Sequence, residues 1–381
     1  MRKGWEYKKL GEVCTLISDG SHNPPKGIDH SLYRMISSQN VFDDNLQITE
    51  DNVRYITESD HLCENKRTKL QKDVVLLTIV GTIGRSCVLK GNEGCLTLQR
   101  SVAALHPSDQ IMPRYLMHCL IGNRHTLNQE AHGIAQKGIY LRQLSSLSIP
   151  LPPKSTQLAI VSELDKINEL IRLKKKQLKD FDNLAQSLFY EMFGDPVENE
   201  KGWEVKKIKD IAKYYNGVAH EQDVDKDGDF VLINAKFISS EGQIKKYTSI
   251  QRFPLLKNDI VMVLSDLPNG KSLAKCFLID EDNKYTLNQR ICCFRGFEGS
   301  SVYLKNIINR NPYLLSFDNG KGQTNLRKGD VEKIPIPLPP LSLQRLFAQR
   351  IEQIEREKSK VQKSIQDLET LLASRMQYWF E

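Results

Sequence analysis

The sequence contains the same pattern twice. Residues 4–10 (GWEYKKL) return as residues 202–208 (GWEVKKI), and residues 149–153 (IPLPP) return as residues 336–340. A long segment with a helical spacing of apolar residues follows each proline-rich strip. The repeat therefore predicts the order globule, helix, globule, helix. A duplicated unit presents two similar surfaces, and long double-stranded DNA is the commonest partner with two similar features.

The two helical segments, 155–193 and 342–381, each carry one apolar stripe of the heptad type. A helix of about 36 residues runs roughly 54 Å, and a single apolar stripe of that length needs a partner. We expect the helices to pair antiparallel, with the globules related by an approximate twofold axis. The predicted seam residues are Ile160, Leu164, Ile167, Ile171, Leu178, Ile351, Ile354, Val361, Ile365 and Leu368.

Two lysines, Lys174 and Lys358, fall at seam positions near the middle of these helices. A polar residue in a seam can fix the register of two helices at some cost in stability. Alternatively, the two side chains only pass along the seam and place their charges in solvent. Both interpretations remain open at the level of the sequence.

The globules, 1–154 and 194–341, have a strand-rich pattern. Apolar runs at 73–80 and 259–264 predict buried strands, and matched strands are predicted at 33–36 and 230–233. Residues 98–102 match residues 288–292 in the same comparison. The predicted fold class is therefore α+β, with two similar mixed α/β domains separated by two long helices that form a pseudo-twofold, antiparallel coiled coil.

Composition gives weaker constraints. The net charge of +7 is compatible with contact to phosphates but does not prove it. No apolar run approaches the roughly 18 residues of a membrane helix, and the first residues lack a signal core, so we expect a cytoplasmic protein. The eight cysteines form no C-x-x-C pair, which predicts free thiols and no metal site.

Residues 270–272 (GKS) resemble the end of the phosphate-binding loop G-x-x-x-x-G-K-[ST]. Ser265 stands where the first glycine of that loop should be, and the matched residues in the first copy are Gly84-Arg85-Ser86. Arginine suits a DNA phosphate or a guanine edge better than it suits a nucleotide triphosphate. A turn that contacts DNA and a purely structural turn remain the two alternatives.

Residues 23–25 (NPP) are similar to the N/D-P-P-Y/F motif of amino-methyltransferases. The aromatic residue that would stack on a flipped base is replaced here by Lys26. No glycine-rich loop after a strand offers a place for a methyl donor. We therefore expect no catalysis at this position, and read the segment as an exposed polar loop.

Polar and basic residues gather on the predicted loops, where base-reading side chains tend to lie. For each loop, an ordinary solvated loop is the alternative. The candidate DNA-binding residues are Ser21, His22, Asn23, Lys26, Thr82, Arg85, Ser86, Gln136, Lys137, His220, Gln222, Asn269, Lys271, Ser272, Lys321 and Gln323. No metalloprotease, hydrolase or nuclease motif is present, so no catalytic residue is named.

The combined pattern resembles the specificity (S) subunits of type I DNA restriction–modification enzymes. The resemblance rests on the paired G-W-E-x-K-K-[LI] openings and on residues 97–100 (TLQR) and 286–290 (TLNQR). It rests also on the two proline-rich strips, each followed by a long helix that opens with Gln157 or Gln344. No single motif is specific, but their duplication at near-constant spacing is, and it covers essentially the whole chain.

The resemblance implies a non-catalytic subunit in which each globule reads one half of a bipartite DNA target. It implies that the helices set the distance between the half-sites. Two modification (methyltransferase) subunits would dock on the chain, joined by restriction (translocase–nuclease) subunits. S-adenosylmethionine, ATP and magnesium would belong to those partners, and this chain would bind no cofactor.

Two other functions remain open from the residues alone. A coiled-coil scaffold whose globules bind proteins would show the same helices, with DNA contact incidental. An enzyme with an unrecognised site would show the same lack of motifs. Selection of DNA sequences from random duplexes separates a specific reader from a scaffold, and an activity assay of the lone chain tests the enzyme.

Overall fold

The computed structural model describes residues 4–91, 93–131, 137–220, 222–267, 270–318, 320 and 322–380. The chain separates into two compact units. The first combines residues 1–176 with 362–381, and the second is residues 177–361. Each unit therefore contains one globule together with part of both long helices. Within the described residues, no helix has the length and apolar character needed to cross a membrane.

The first unit combines short strands with helices. Its strands are β1 (Glu6–Lys9), β2 (Cys14–Asp19), β3 (Tyr33–Ile36), β4 (Val41–Phe42), β5 (Asn45–Leu46), β6 (Arg54–Ile56), β7 (Val75–Thr78), β8 (Ser86–Val88), β9 (Cys95–Leu98), β10 (Val102–Pro107) and β11 (Ser148–Leu151). Its helices are α1 (Leu10–Val13), α2 (Glu58–Thr68), α3 (Pro113–Gly122), α4 (Arg124–Gln129), α5 (Leu141–Ser146) and the start of the long helix α6 (Lys154–Phe193), with a 3-10 turn at Glu50–Asn52.

These strands form one four-stranded sheet and several smaller ones. The main sheet has the order β2-β10-β7-β8, and its neighbouring strands are antiparallel. A three-stranded sheet has the order β6-β3-β9, in which β3 and β9 are parallel. The strands β4 and β5 form a separate two-stranded sheet, and β1 pairs with β11. This last pair brings the repeated opening of the chain against the proline-rich strip, with Glu6 opposite Leu151.

The central strand β7 separates two apolar cores, which explains its unbroken run of apolar residues. Val75 and Leu77 belong to one buried cluster, whereas Val74 and Leu76 belong to another. A strand covered on both faces has no solvent-facing positions, so its sequence does not alternate. The predicted buried strand is therefore present, and it is shorter than the apolar run that predicts it.

The second unit repeats this architecture. Its strands are β12 (Glu204–Lys207), β13 (Lys213–Asn216), β14 (Phe230–Ile233), β15 (Tyr247–Thr248), β16 (Ile260–Val263), β17 (Ser265–Asp266), β18 (Cys276–Leu278), β19 (Tyr285–Leu287), β20 (Ile291–Arg295), β21 (Thr324–Asn325) and β22 (Pro335–Leu338). Its helices are α7 (Ala235–Ser239), α8 (Ser301–Ile308), α9 (Pro312–Leu315), α10 (Lys328–Val331) and the start of the long helix α11 (Leu341–Phe380), with a 3-10 turn at Ile208–Asp210.

Three sheets of the two units have corresponding strand orders, whereas among the described residues the pair β4-β5 is formed only in the first unit and the pair β17-β21 only in the second. The four-stranded sheet of the second unit is β13-β20-β16-β18, and its three-stranded sheet is β15-β14-β19 with β14 and β19 parallel. The pair β12-β22 corresponds to β1-β11, with Glu204 opposite Leu338. In β16, Ile260 and Val261 again belong to two different apolar clusters. The duplication seen in the sequence is thus a duplication of the fold.

Each long helix begins in the same manner in the two copies. The helices start at Lys154 and Leu341, one residue before the predicted boundaries. Gln157 accepts the Met112 N–H at 2.9 Å and donates to the Pro152 carbonyl at 3.0 Å. Because the amide binds one backbone group before α3 and one in the proline-rich strip before α6, it fixes the exit of the long helix from the globule.

The second helix start has the same arrangement. Gln344 accepts the Ser300 N–H at 3.0 Å and donates to the Pro339 carbonyl at 2.8 Å. A buried tyrosine under each proline-rich strip completes the likeness, because Tyr115 donates to Pro150 at 2.9 Å and Tyr303 donates to Pro337 at 2.8 Å.

In the first unit, the two long helices pair antiparallel. Glu163 of α6 forms an ion pair with Arg375 of α11 and accepts a hydrogen bond from Trp379 Nε1 at 3.0 Å. Further along α6, Lys175 Nζ lies 2.8 Å from Glu369 of α11. Residue numbers rise along one helix while those of their partners fall along the other, which establishes the antiparallel direction.

The second unit shows the same pairing through different contacts. The Phe189 ring of α6 packs edge-on against the Phe347 ring of α11, with centroids 5.7 Å apart. Lys358 of α11 is largely buried, and its Nζ lies 2.8 Å from Asp182 on α6. For Lys358, the contact with the opposite helix supports a role in register rather than simple passage along the seam.

The predicted seam residues all have low exposure. Ile160, Leu164, Ile167, Ile171, Ile351, Ile354, Val361 and Ile365 are buried, and Leu178 and Leu368 are half-buried.

Each long helix starts at one globule, and its last turn packs on the other. The Phe193 ring of α6 lies 4.7 Å from the Tyr303 ring in the second unit. The Phe380 ring of α11 lies 5.8 Å from the Tyr115 ring in the first unit, and Trp379 stacks on Trp5. Each globule is therefore anchored both by the helix that follows it in sequence and by the end of the other helix.

A charged network ties α3 of the first unit to α6. Arg114 donates to both oxygens of Asp165 at 2.6 and 2.7 Å, and to Asp44 at 2.9 and 3.0 Å. The buried His118 lies 2.7 Å from Asp165 through Nε2. Burial raises the pKa of Asp165, but the hydrogen bonds from His118 and Arg114 lower it by more, to about 2.

This pKa predicts an acid-sensitive contribution to the stability of the first unit. The pKa of Asp165 is lower in the folded chain than in an unfolded one, so its contribution is complete above about pH 4 and is lost as the pH falls through 2. We expect Asp165→Asn to lower resistance to urea more at pH 6 than at pH 2.5. The exposed Asp109→Asn serves as the control, and an equal effect of Asp165→Asn at both pH values would contradict the assignment.

Candidate nucleic-acid interface

In the first unit, the loop that follows β2 lies directly against the turn between β9 and β10. The Ser21 N–H donates to the Leu98 carbonyl at 2.8 Å, and the Arg100 N–H donates to the Ser21 carbonyl at 2.9 Å. Gly20 is required at this crossing, because a Cβ there would overlap the Leu98 carbonyl. The loop and the turn therefore form one continuous surface.

The loop that follows β7 extends the same surface. The Ile79 N–H donates to the Ser101 carbonyl and the Ile139 N–H donates to the Ile79 carbonyl, both at 2.9 Å. The Gly81 N–H donates to the Lys137 carbonyl at 3.2 Å. Segments far apart in sequence thus meet at one edge of the unit. We call this surface the first tip, formed by residues 20–23, 79–84, 99–101 and 137–139.

The second unit builds an equivalent surface with equivalent hydrogen bonds. The Val218 N–H donates to the Leu287 carbonyl at 3.0 Å, and the Leu264 N–H donates to the Arg290 carbonyl at 2.9 Å. The Leu326 N–H donates to the Leu264 carbonyl at 2.8 Å. We call this surface the second tip, formed by residues 217–220, 222, 264–267, 270–273, 288–290 and 323–326.

The two tips share a backbone scaffold but display different side chains. The Gln99 N–H donates to the last carbonyl of β3 at 2.9 Å, and the Asn288 N–H donates to the last carbonyl of β14 at 3.1 Å. Gln99 and Asn288 therefore occupy the same place. The sequence match of 98–102 with 288–292 is therefore wrong by one residue. Residue identities align Gln99 with Gln289, whereas the hydrogen bonds align Gln99 with Asn288.

Side-chain hydrogen bonds hold the first tip in place. Asp19, at the end of β2, is almost fully buried and accepts hydrogen bonds from His22 Nε2 at 2.7 Å and from Arg67. Ser21 donates to Glu64 at 3.0 Å. Because these contacts fix the loop in the free chain, less conformational entropy is lost when a ligand binds.

The structure places most of the predicted residues at the surface. His22, Asn23, Lys26, Thr82, Lys137, Gln222, Lys271 and Gln323 are exposed, Arg85 and Ser272 are half-buried, and Ser21, Ser86 and His220 are buried. Gln136, Asn269 and Lys321 lie outside the described residues. Lys26 belongs to a segment that runs along β6, where Ile28 donates to Tyr55 at 3.0 Å, and so lies apart from the loops of the first tip.

Three of the predicted contacts must be corrected, because their side chains are occupied inside the protein. Ser86 is fully buried and its hydroxyl donates to the Leu76 carbonyl at 2.8 Å. His220 is also fully buried, with Nε2 lying 3.0 Å from Thr286 Oγ1. Ser21 is buried as well, with its hydroxyl bonded to Glu64. These side chains stabilise the tips and are not available to contact DNA.

The turn at residues 270–272 has a structural role. Its amides donate to a carboxylate of the same loop: Asp266 Oδ2 accepts the Ser272 N–H at 2.6 Å and the Leu273 N–H at 3.1 Å. In a nucleotide-binding loop these amides would bind phosphate. Because Asp266 already fills that place with a negative charge, the turn does not suit a nucleotide. The exposed Lys271 remains available at its surface.

In the matching turn of the first unit, the arginine side chain packs against an aromatic ring. The Arg85 guanidinium lies 4.7 Å from the centre of the Phe42 ring in β4. On the same side, Arg124 forms an ion pair with Asp43 at 2.5 Å. Arg85 is thus held by a cation–π contact beside a mixed-charge surface.

The central turn of each tip carries residues that the candidate set omits. Gln99 is half-buried, whereas Arg100, Gln289 and Arg290 are exposed. The sequence did contain a signal for them, since these residues belong to the repeated TLQR and TLNQR segments. Their importance as a surface depends on the neighbouring loops, which only the fold brings together.

The described part of the chain contains no group of three or more His, Cys, Asp or Glu side chains that could hold a metal ion. The cysteines are free thiols, and most of them are buried. The exposed side chains of the tips include amide and basic groups such as Asn23, Lys137, Lys271 and Gln323, which suit hydrogen bonding to phosphates and to base edges.

A family model described as "Type I restriction modification DNA specificity domain" matches residues 2–180 and, a second time, residues 200–370. Among curated proteins, the chain is 24% identical over 341 residues to the type I restriction enzyme MjaVIII specificity subunit of Methanocaldococcus jannaschii, covering 79% of this chain and 78% of that protein. It is 27% identical over 135 residues to the type I restriction enzyme EcoBI specificity subunit of Escherichia coli, covering 34% and 28%.

Solved structures are similar over nearly the full length. The S subunit of a type I restriction–modification system from M. genitalium matches with a TM-score of 0.55 at 13% identity, covering 98% of this chain and 95% of that one. A chain from a study of complex assembly and conformational transition of the type I R-M system matches with a TM-score of 0.59 at 15% identity, covering 100% and 98%. At these identities the likeness establishes the fold.

Proposed function

This chain belongs to the family of type I restriction–modification DNA specificity domains, and we propose that its two tips read the two halves of a bipartite DNA target for a complex that methylates DNA. The observation that carries the proposal is the pair of tips. One scaffold of crossing loops is built twice, and each copy presents a different set of polar and basic side chains. Two equivalent supports with different side chains suit two different half-sites.

The tips have the chemistry that two kinds of DNA contact require. Exposed lysines such as Lys137 and Lys271 suit phosphates, and contacts of that kind give affinity that falls with salt but is blind to sequence. Amide and guanidinium groups suit base edges, where each well-placed bidentate pair contributes roughly 1–3 kcal/mol of discrimination. Both kinds of group occur on each tip, so each tip has the means to bind and to select.

The paired helices suit a spacer between the half-sites. Each has 40 residues and is anchored on both globules, through its own start and through aromatic residues in its last turn. A rigid helix fixes a length, at about 1.5 Å per residue. The proposal therefore includes a stretch of unread base pairs between the half-sites, whose length depends on the helices.

The remaining parts of the proposal concern the partners. Two modification (methyltransferase) subunits would dock on this chain, and restriction (translocase–nuclease) subunits would join them. S-adenosylmethionine, ATP and magnesium would be bound by those subunits, in the cytoplasm. This chain would supply recognition and no catalysis, so the purified chain alone should neither transfer methyl groups to DNA nor cleave it.

Selection from random DNA duplexes tests the proposal. The chain, assembled with its modification subunits, is expected to enrich two short defined blocks of different sequence separated by a block without preference. Binding to the enriched duplex should weaken as salt rises, because phosphate contacts release counterions. A protein-binding scaffold would enrich no sequence, and that result would refute the proposal.

A further inference from the structure

In each unit, one turn joins the three-stranded sheet to the four-stranded main sheet, and this turn lies at the middle of the tip. In the first unit the turn joins β9 to β10, and in the second it joins β19 to β20. The Arg100 N–H bonds to the loop after β2, and the Ser101 carbonyl bonds to the loop after β7. A side chain on this turn is therefore flanked by the other loops of the tip and is placed to reach any ligand that they contact.

An arginine stands on each turn, at adjacent rather than identical positions. Ser101 and Arg290 are equivalent, because the carbonyl of each accepts the N–H of the first residue after the central strand, at 2.9 Å in both units. Arg100 is therefore one position earlier in its turn than Arg290. Both side chains are exposed, and among the described residues neither guanidinium has a hydrogen bond or an ion pair with the protein.

The backbone of Arg290 adds an independent sign. Its φ is +65°, in the left-handed region that glycine and asparagine prefer and that costs a residue with a larger side chain energy. Glycine would satisfy the same turn without that cost. The arginine side chain is thus present at a position where the backbone conformation itself favours glycine.

We propose that Arg100 and Arg290 each read a guanine, one in each half-site, through the guanine O6 and N7 atoms. Arginine is suited to this base edge because its planar guanidinium donates two parallel hydrogen bonds. Neither arginine is bound within the protein, so the cost of breaking an internal contact is absent. The two arginines differ by one position in their turns and in backbone, since Arg290 has a positive φ and Arg100 does not. The proposal rests on DNA recognition by the tips.

Gel-shift measurements on the assembled complex test the proposal. The probe is the duplex that the wild-type complex enriches, together with a set of duplexes in which each base pair of each half-site is changed in turn. In each half-site we expect one G·C pair whose replacement weakens binding of the wild-type complex by roughly 5- to 150-fold. Arg290→Gly should abolish that rejection in one half-site and leave the other half-site unchanged. Arg100→Ala should do the reverse.

Two further variants separate base reading from other effects. Arg290→Lys keeps the charge but not the paired donors, and is expected to lose the guanine preference while keeping most of the salt-dependent affinity. Asn283→Gly is the matched control, since Asn283 is exposed with φ +56° at the opposite end of β19, and it should change nothing.

The outcomes are distinct. If Arg290→Gly weakens binding to every duplex equally and retains the preference at each position, the arginine contacts phosphate and base reading by Arg290 is refuted. If the wild-type complex enriches a bipartite sequence and both variants read it unchanged, the further inference fails while the proposed function stands. If wild type enriches no sequence, both fail.

Discussion

Replacing Phe347 by alanine is expected to destabilise the second unit by about 3–5 kcal/mol, the usual cost of removing a large buried aromatic side chain. Phe347 is fully buried where α11 leaves the globule. Its ring lies 5.2 Å from the Phe193 ring and 5.7 Å from the Phe189 ring, both on α6. The cavity would therefore open between the globule and both long helices, where rigid elements cannot easily close it.

Hydrogen exchange of the full-length chain, followed by mass spectrometry, measures this effect locally. We expect amides of β20 in the second unit to exchange much faster in Phe347→Ala, while amides of β10 in the first unit change little. Leu346→Ala is the matched control, because Leu346 is the preceding residue of the same helix and is 41% exposed. Equal exchange in the two variants would show that the aromatic cluster does not stabilise the unit.

The elements with a strong local pattern were predictable from the sequence. The strands β3 and β14 occupy the predicted residues, because short β-branched and apolar runs between turn residues define strands locally. The long helices start one residue from their predicted boundaries, since prolines and a heptad stripe mark their beginning and their extent. The duplication also predicted that the second globule would repeat the first.

The tips were only partly predictable, because they depend on contacts between segments distant in sequence. Nothing in the residues around Gly20 indicates that its loop crosses a turn some eighty positions later. The polar side chains of Ser86 and His220 look available in the sequence, yet each is buried beside a partner that only the fold supplies. Sequence reasoning therefore named loops that the fold brings together, but it did not show which of their side chains face outward.

The turn alignment shows a further limit of sequence comparison. By residue identity, Gln99-Arg100 aligns with Gln289-Arg290. The hydrogen bonds of the turns show that this alignment is wrong by one residue. The two domains share one backbone scaffold but carry different exposed side chains. This difference is expected if each domain recognises a different half-site. Arg290 has a left-handed backbone, whereas its equivalent Ser101 does not, and Arg290 is the residue with the sharpest expected effect on base preference.

Removing seven residues from the middle of both long helices is expected to abolish binding to the original target and to create a new one. Deletion of residues 170–176 and 364–370 removes facing segments, because Lys175 lies beside Glu369 across the pair. Seven residues preserve the heptad phase of the seam, so the remaining apolar residues still pair. Each helix shortens by about 10.5 Å, close to three base pairs at about 3.4 Å each.

Insertion of one heptad at the same places is the matched control, since it should lengthen the unread block by a similar amount. Both variants retain the tips unchanged, so their half-sites should keep their sequences. The helix content of the variants is checked by circular dichroism, which should report the loss or gain of helix expected from the change in length.

The most direct measurement is a selection from random duplexes with the heptad-deleted chain, assembled with its modification subunits. The enriched duplexes are then sequenced. We predict the same two half-sites as in wild type, separated by an unread block about three base pairs shorter. Altered half-site sequences with an unchanged block between them would contradict the central claim that the tips read and the helices measure.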